Sequence, residues 1–334
     1  LNMAIGEPQH PAPPMVQRIV AEQAALWSKY PPMKGTPEFR AAAAGWLTRR
    51  YRLPEGMIDP ERHVLPISGS REALFLIGLA VIPEQKRGRR PVVLIPDPFY
   101  QVYVGAGVFA GAEPYYLPAT AETGFLPDFS AVPDEILERT ALAFLCSPAN
   151  PQGSAASVAY LNELIGLARR HDFVVAFDEC YTELYYTPQP VPGGLEACAA
   201  TGGDMANVIT FHSLSKRSSV PGLRSGFVAG GPASYQSAFS PSPRWSDDAH
   251  VEENRRLYAQ KYAVAERILG GRFGFYRPDG GFYLWLDVGD GEEAARRLWA
   301  EAAIKVQPGA YFAHDYPDGG NVGRRYIRVA LVHG

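Results

Sequence analysis

At 334 residues, 46% hydrophobic and 20% charged, the chain has an ordinary globular balance and is long enough for two domains. A formal net charge of -3 gives no electrostatic reason to expect nucleic acid or an anionic membrane as partner. Apolar runs such as "PVVLIP" and "FVVAF" fall well short of the roughly 18 residues of a membrane helix, and three cysteines without CxxC spacing read as reduced, buried thiols of a cytoplasmic protein.

The chain opens on "LNMAIGEP", with no basic-then-apolar leader, no initiator methionine and no leading helix, so part of the N-terminus is expected to lie outside this sequence. From residue 63 strands and helices alternate. A strand "HVLPIS" (63–68) precedes a helix "SREALFLIGLAVI" (70–82), and a strand "RPVVLIPD" (90–97) precedes a helix "YQVYVGAGVFAG" (100–111). Next come the strands "EPYYLP" (113–118) and "ALAFLCS" (141–147), the helix "SVAYLNELIGLARRH" (157–171), and the strands "DFVVAFDE" (172–179), "ANVITFH" (206–212) and "GLRSGFVAGG" (222–231). Short apolar runs rich in β-branched and aromatic residues, spaced by helices, predict an α/β fold with a mainly parallel sheet covered on both faces. Right-handed crossovers then gather the C-terminal strand ends along one edge, where ligands bind.

The pattern changes after the Pro/Ser-rich "FSPSPRWSDD" (239–248), which reads as a loop or hinge. A charged helix (246–269), a strand "GGFYLWLDV" (280–288), a helix "GEEAARRLWAEA" (291–302) and a last strand "RRYIRVALV" (324–332) form a smaller α+β unit. The expected division is a large domain over 31–237 and a small one from 1–30 with 238–334.

Several polar residues fall at the predicted strand ends. "SPANPQG" offers Asn150, "DECY" offers Asp178 and Tyr181, "SLSK" offers Ser213 and Lys216, and "GLR" offers Arg224. A pyridoxal 5'-phosphate (PLP) site needs such a set. A lysine condenses with the aldehyde and moves the substrate proton, and a carboxylate keeps the pyridine nitrogen protonated. An amide and a phenol hydrogen-bond the ring O3', while an arginine, serine hydroxyls and helix N-terminal N–H groups take the phosphate. "ISGSREAL" supplies a second piece of that phosphate cup, with Gly69 turning the chain and Ser70 and Arg71 opening a helix. Tyr100, in "PDPFY", is placed to stack on the ring.

"SPANPQG", "DECYTELYY" and "SLSKRSSVPGLRSGF" resemble the fold-type I, class I/II aminotransferases, and the similarity runs from "AIGEP" to "YIRVALV". The resemblance implies a fold-type I PLP transferase with Lys216 as the PLP lysine, Asp178 against the pyridine nitrogen, and Asn150 and Tyr181 at O3'. Ser213, Arg224, Ser70 and Arg71 would surround the phosphate. Arg328, in "YIRVAL", matches the arginine that grips the substrate carboxylate, and Gly6 the backbone position that closes over it. Tyr30 matches a tyrosine that reaches the phosphate of the neighbouring subunit, which implies a homodimer with shared active sites. "DPFYQVYVGAGVFAGAEPYYLP", "GGFYLWLDV", "VQPGAYFA" and "GRRYIRVALV" are similar, more narrowly, to bacterial N-succinyldiaminopimelate aminotransferases of lysine biosynthesis, which use glutamate as donor. The resemblance departs at "YQSAFSPSPRWSDD", where the family has a longer helical passage, and at the missing leading helix.

Each residue also has a plainer reading. Asn150 can cap a turn before Pro151, Tyr181 and Tyr100 can be packing, and Arg328 can be a strand-edge ion pair. Asp178 with Glu179 can be an acidic metal and nucleotide pair, but no GxxxxGK[ST] loop accompanies it. "GAGVFAG" has Ala110 where the dinucleotide fingerprint needs its third glycine, and the histidines lack metal spacing. His212 and the cysteines Cys146 and Cys180 read as packing, while Lys34 and Arg71 are candidate contacts for a distal substrate group. The expected activity is PLP-dependent transamination between small amino acids and 2-oxo acids, without metal, nucleic acid or membrane. Its rivals are another donor–acceptor pair (aspartate, alanine or aromatic), a PLP-dependent C–S lyase, and a non-catalytic regulator on the same fold.

Overall fold

The computed structural model describes residues 1–231 and 248–332. The expected domain boundary at 237/238 and all but the last residue of the expected hinge lie outside them. Seven strands, β1 (Val64–Ile67), β2 (Val92–Asp97), β3 (Glu113–Pro118), β4 (Thr140–Cys146), β5 (Val174–Asp178), β6 (Val208–Ser213) and β7 (Gly226–Gly230), build one sheet. Its order is β1-β7-β6-β5-β4-β2-β3. The run from β3 to β6 is parallel, and β7 lies antiparallel to both β6 and β1. The mainly parallel α/β sheet expected from the sequence is therefore present, with one reversed strand.

Burial explains the near-continuous apolar strands. Along β4, Leu142 and Phe144 enter one core with the helices Ser70–Val81 and Gln101–Phe109. The alternate residues Ala143 and Leu145 enter another, with the helices Pro37–Tyr51, Val158–His171 and Gly194–Ala200. Successive side chains leave opposite faces of a strand, so a sheet buried on both sides has no polar face to show. Helix starts follow ordinary capping: Thr36 accepts from Phe39 N–H and Ser157 from Tyr160 N–H.

A second sheet, in the order β8-β10-β9, is antiparallel and consists of β8 (Tyr283–Asp287), β9 (Gln307–Pro308) and β10 (Tyr326–Ala330). The helices Asp248–Leu269 and Gly291–Ala302 accompany it. The N-terminal segment joins this sheet: Met3 N–H donates to Lys305 O at 2.7 Å, and Ala330 N–H to Met3 O at 2.8 Å.

One sequence expectation needs correction. The strand expected over 222–231 is shorter, because Pro221–Leu223 forms a 3-10 turn and Arg224 takes a left-handed φ of 50° before β7 begins. The first helix of the chain, Pro14–Glu22, follows "AIGEP" and has no buried residue. Among the described residues no helix is long and apolar enough to cross a membrane.

Candidate active site

The C-terminal edge of the large sheet opens into a cavity of about 560 Å³. Lys216, Asp178, Tyr181, Asn150, Ser213, Arg224, Ser70, Arg71, Tyr100, Arg328 and Gly6 all line it. Gly69 lies just behind the wall, and Tyr30 is fully exposed outside it.

β5 delivers Asp178 at its last position, 3% exposed. Oδ2 accepts the Tyr103 phenol proton at 2.7 Å, and Oδ1 accepts Cys180 N–H at 3.3 Å. Burial pushes this carboxyl above the usual range, while the Cys180 thiol, Tyr103 and the charge of Lys216 pull it back. Lys216 follows β6 in the single helical turn Leu214–Arg217. Its amine turns inward: Nζ donates to Gly6 O at 2.5 Å and lies 5.5 Å from the Phe282 ring centroid. A lysine amine and a buried carboxylate thus share one cleft.

At one end of the cleft Arg328, on β10, is 6% exposed. Nη1 donates to Asn150 Oδ1 at 3.2 Å, and Nη2 to Ala4 O at 2.6 Å and to Gln307 Oε1 at 3.3 Å. The guanidinium carbon is sandwiched 4.4 Å from the Tyr283 ring centroid and 4.3 Å from that of Phe312. Its buried Nε has no hydrogen-bond partner among the described residues, and none of their carboxylates pairs with it. The strand-edge ion pair weighed from the sequence is not what this arginine makes.

At the other end the helix Ser70–Val81 starts on Gly69, which has a φ of 90° and no side chain to cap the helix. Among the described residues no N-cap side chain takes its first N–H groups, and Ser70 and Arg71 at this helix start line the cavity. A Cβ on Gly69 would overlap only the movable tip of Arg224, so the glycine is required for its φ of 90°. Arg224 Nη2 donates to Glu72 Oε2 at 2.7 Å, and Ser213 Oγ accepts Ser215 N–H at 3.1 Å. Cationic and N–H donors dominate this end, with Glu72 as its carboxylate.

Some readings change. Cys180, expected to be a buried packing thiol, is half-buried and lines the cavity. Lys34 does not line it, and its carbonyl accepts from Arg40 at 2.8 Å. Glu179 faces away from Asp178, accepting from Tyr51 Oη at 2.5 Å and Gly194 N–H at 2.7 Å. Among the described residues no metal-binding cluster occurs. Tyr103, Tyr283, Phe312 and Gln307 were not singled out by sequence. Tyr103 alone carried a signal, being one helical turn beyond Tyr100.

A family model for class I and II aminotransferases matches residues 1–244. An LL-diaminopimelate aminotransferase 2 of Trichormus variabilis is 34% identical, over 99% of this chain and 86% of its own. A 4-dedimethylamino-4-oxo-anhydrotetracycline transaminase of Streptomyces rimosus is 31% identical, over 99% and 89%. Among solved structures, an aminotransferase from Neisseria meningitidis matches with a TM-score of 0.89 at 39% identity, covering 99% of this chain and 87% of that one.

Proposed function

The chain belongs to the class I and II aminotransferases, PLP-dependent enzymes acting on amino and 2-oxo acids, and on that premise we propose that its amino acid is a diaminopimelate. The first reading is N-succinyl-L,L-diaminopimelate with 2-oxoglutarate as acceptor, on the strings shared with that subfamily. The second is unsubstituted LL-diaminopimelate, favoured by the names of several relatives. The observation that supports amino transfer is Arg328, a buried guanidinium whose Nε has no hydrogen-bond partner among the described residues, in the same cleft as Lys216 and Asp178.

The residues present fit the cofactor. The uncapped helix start, Ser70, Arg71, Ser213 and Arg224 would hold a phosphate dianion. Asp178 would face the pyridine nitrogen, its burial raising the carboxyl and its hydrogen-bond donors and Lys216 opposing that shift. Asn150 and Tyr181 would meet O3', and Tyr100 the ring face. When bound, PLP supplies the electron sink for the pair left on the substrate Cα. Lys216 carries the proton to and from that carbon. Arg328 fixes the substrate carboxylate, which sets the Cα–H bond rather than the Cα–carboxylate bond for cleavage, and the apolar Tyr283 and Phe312 rings keep water from the pair. Gly6 closes over the carboxylate.

A second copy of the chain completes the site in this reading. Trp27, Met33 and Tyr30 are 71%, 81% and 102% exposed, and as a dimer face they would bring Tyr30 to the neighbour's phosphate. Cytoplasmic location belongs to the same proposal.

The test is purified enzyme with 2-oxoglutarate and a panel of donors, reading glutamate formation. Turnover with a diaminopimelate and its loss in Lys216→Ala support the assignment. Ammonia and pyruvate from a thioether amino acid would make it a lyase, and a colourless protein without amino transfer would make it a regulator.

A further inference from the structure

Tyr283 links the Arg328 end of the cleft to Tyr181 and to the backbone that takes the Lys216 amine. Its ring lies 4.4 Å from the Arg328 guanidinium carbon, and its hydroxyl abuts Gly6, where a Cβ would overlap it. Gly6 O in turn takes the Lys216 amine. The same hydroxyl stands 3.3 Å from that of Tyr181. Both rings are 5% exposed. Tyr262 Oη donates to the Tyr283 carbonyl at 2.7 Å, which anchors the backbone of β8 at this residue. The charged and titratable groups facing the pair are Lys216, Arg328, Cys180, Cys146, Tyr258 and Tyr262.

Across the Tyr181–Tyr283 contact either phenol can donate. In the proposed function Tyr181 gives its proton to O3', an anionic oxygen, so the Tyr181 oxygen is left as an acceptor. The Tyr283 hydroxyl has no other hydrogen-bond partner among the described residues, so its proton has one acceptor to go to. The reverse direction would withdraw the Tyr181 proton from O3' and leave two buried lone-pair sites facing each other. We propose that Tyr283 is a positioning residue that donates to Tyr181 and so commits the Tyr181 proton to O3' of PLP. This rests on the assignment of Tyr181 to O3'.

Donors in a chain polarise one another, each strengthening the next by about 10–30%. A stronger bond to O3' draws charge from that oxygen and weakens its hold on the proton of the lysine-linked nitrogen. Removing the Tyr283 hydroxyl therefore raises the pH midpoint of the cofactor absorbance band. Phenylalanine keeps the ring on Arg328, so the carboxylate end is undisturbed.

The experiment is a pH titration of that band in wild type, Tyr283→Phe, Tyr181→Phe and the double variant. The expected shifts are about 0.3 unit upward for Tyr283→Phe and about 1 unit for Tyr181→Phe. The double variant should match Tyr181→Phe alone, because the relay acts only through Tyr181. An unmoved midpoint in Tyr283→Phe overturns the proposal, and so does an equal extra shift in the Tyr181→Phe background. A wild type with no pH-dependent band overturns the relay together with the function beneath it, and is told apart by the wild-type spectrum alone.

Discussion

Tyr103 and Asp178 form a buried pair: the phenol, 1% exposed and stacked 4.5 Å from Phe144, donates to the carboxylate at 2.7 Å. The ring is held by packing, so the hydrogen bond is preorganised and does not reorient when a cationic ring nitrogen approaches. Burial raises the carboxyl pKa and this donor opposes it.

Tyr103→Phe should therefore weaken PLP retention. One neutral donor to a buried charged acceptor contributes about 1.5 kcal/mol or more, so the Kd for PLP should rise by roughly tenfold. Equilibrium titration of the apo form by absorbance checks it. An unchanged Kd would mean that the remaining donors at Cys180 suffice to keep Asp178 ionised.

At the other end of the cleft, Arg328→Lys keeps the charge but loses the planar fork and the fit between two rings. Loss of one charge-assisted bond, with the stacking, predicts KM for the amino acid rising by about 100-fold. The kcat at saturation should fall less. Steady-state kinetics with donor varied at fixed 2-oxoglutarate separates the two. A fall in kcat at unchanged KM would place the arginine elsewhere in the reaction.

The parallel sheet was legible because β2, β4 and β6 are buried along their whole length, which forces a continuous apolar run. Strand ends then placed Asn150, Asp178, Ser213 and Lys216 on one edge without further information. The reversal of β7 was not legible: the Pro221–Leu223 turn and left-handed Arg224 that produce it look in sequence like an ordinary loop. Nor was Tyr103, whose role depends on how its helix rotates over β4 and β5. Phe312 and Tyr283 meet at Arg328 only because β8, β9 and β10 pair across long sequence separations. Local pattern carries local structure, and side-chain partners set by the second sheet are not in it.

Glu179 gives a pH dependence of stability. The carboxyl is fully enclosed, accepts from Tyr51 and Gly194, and is raised from 4.5 to about 7, chiefly by burial. The folded state thus holds its proton more tightly than the unfolded chain. That contribution is fully present below about 4.5 and is lost as pH rises through about 7. Glu179→Gln keeps an acceptor but has no proton to lose. Its melting temperature relative to wild type should rise from pH 5 to about 7, the folded pKa, and level off above it. Parallel slopes in a melting series across that range would refute the assignment.

Lys86 offers a test remote from the chemistry. Its ammonium donates to Thr140 O at 2.5 Å, His171 O at 2.9 Å and Asp172 O at 2.5 Å. It thereby clips the start of β4 to the C-terminus of the helix Val158–His171, where unpaired carbonyls and the negative helix end favour a cation. Half-burial lowers its pKa, so desolvation offsets part of what the three bonds contribute. Lys86→Met fills the same volume but leaves the carbonyls without a donor, at a net cost of about 2 kcal/mol. In a chain of this size that is a melting point lower by about 3 °C. The cavity lies at the opposite, C-terminal edge of the sheet, so kcat and KM should not change. Thermal unfolding beside steady-state kinetics checks both halves, and a variant as stable as wild type would mean that water replaces the ammonium without loss.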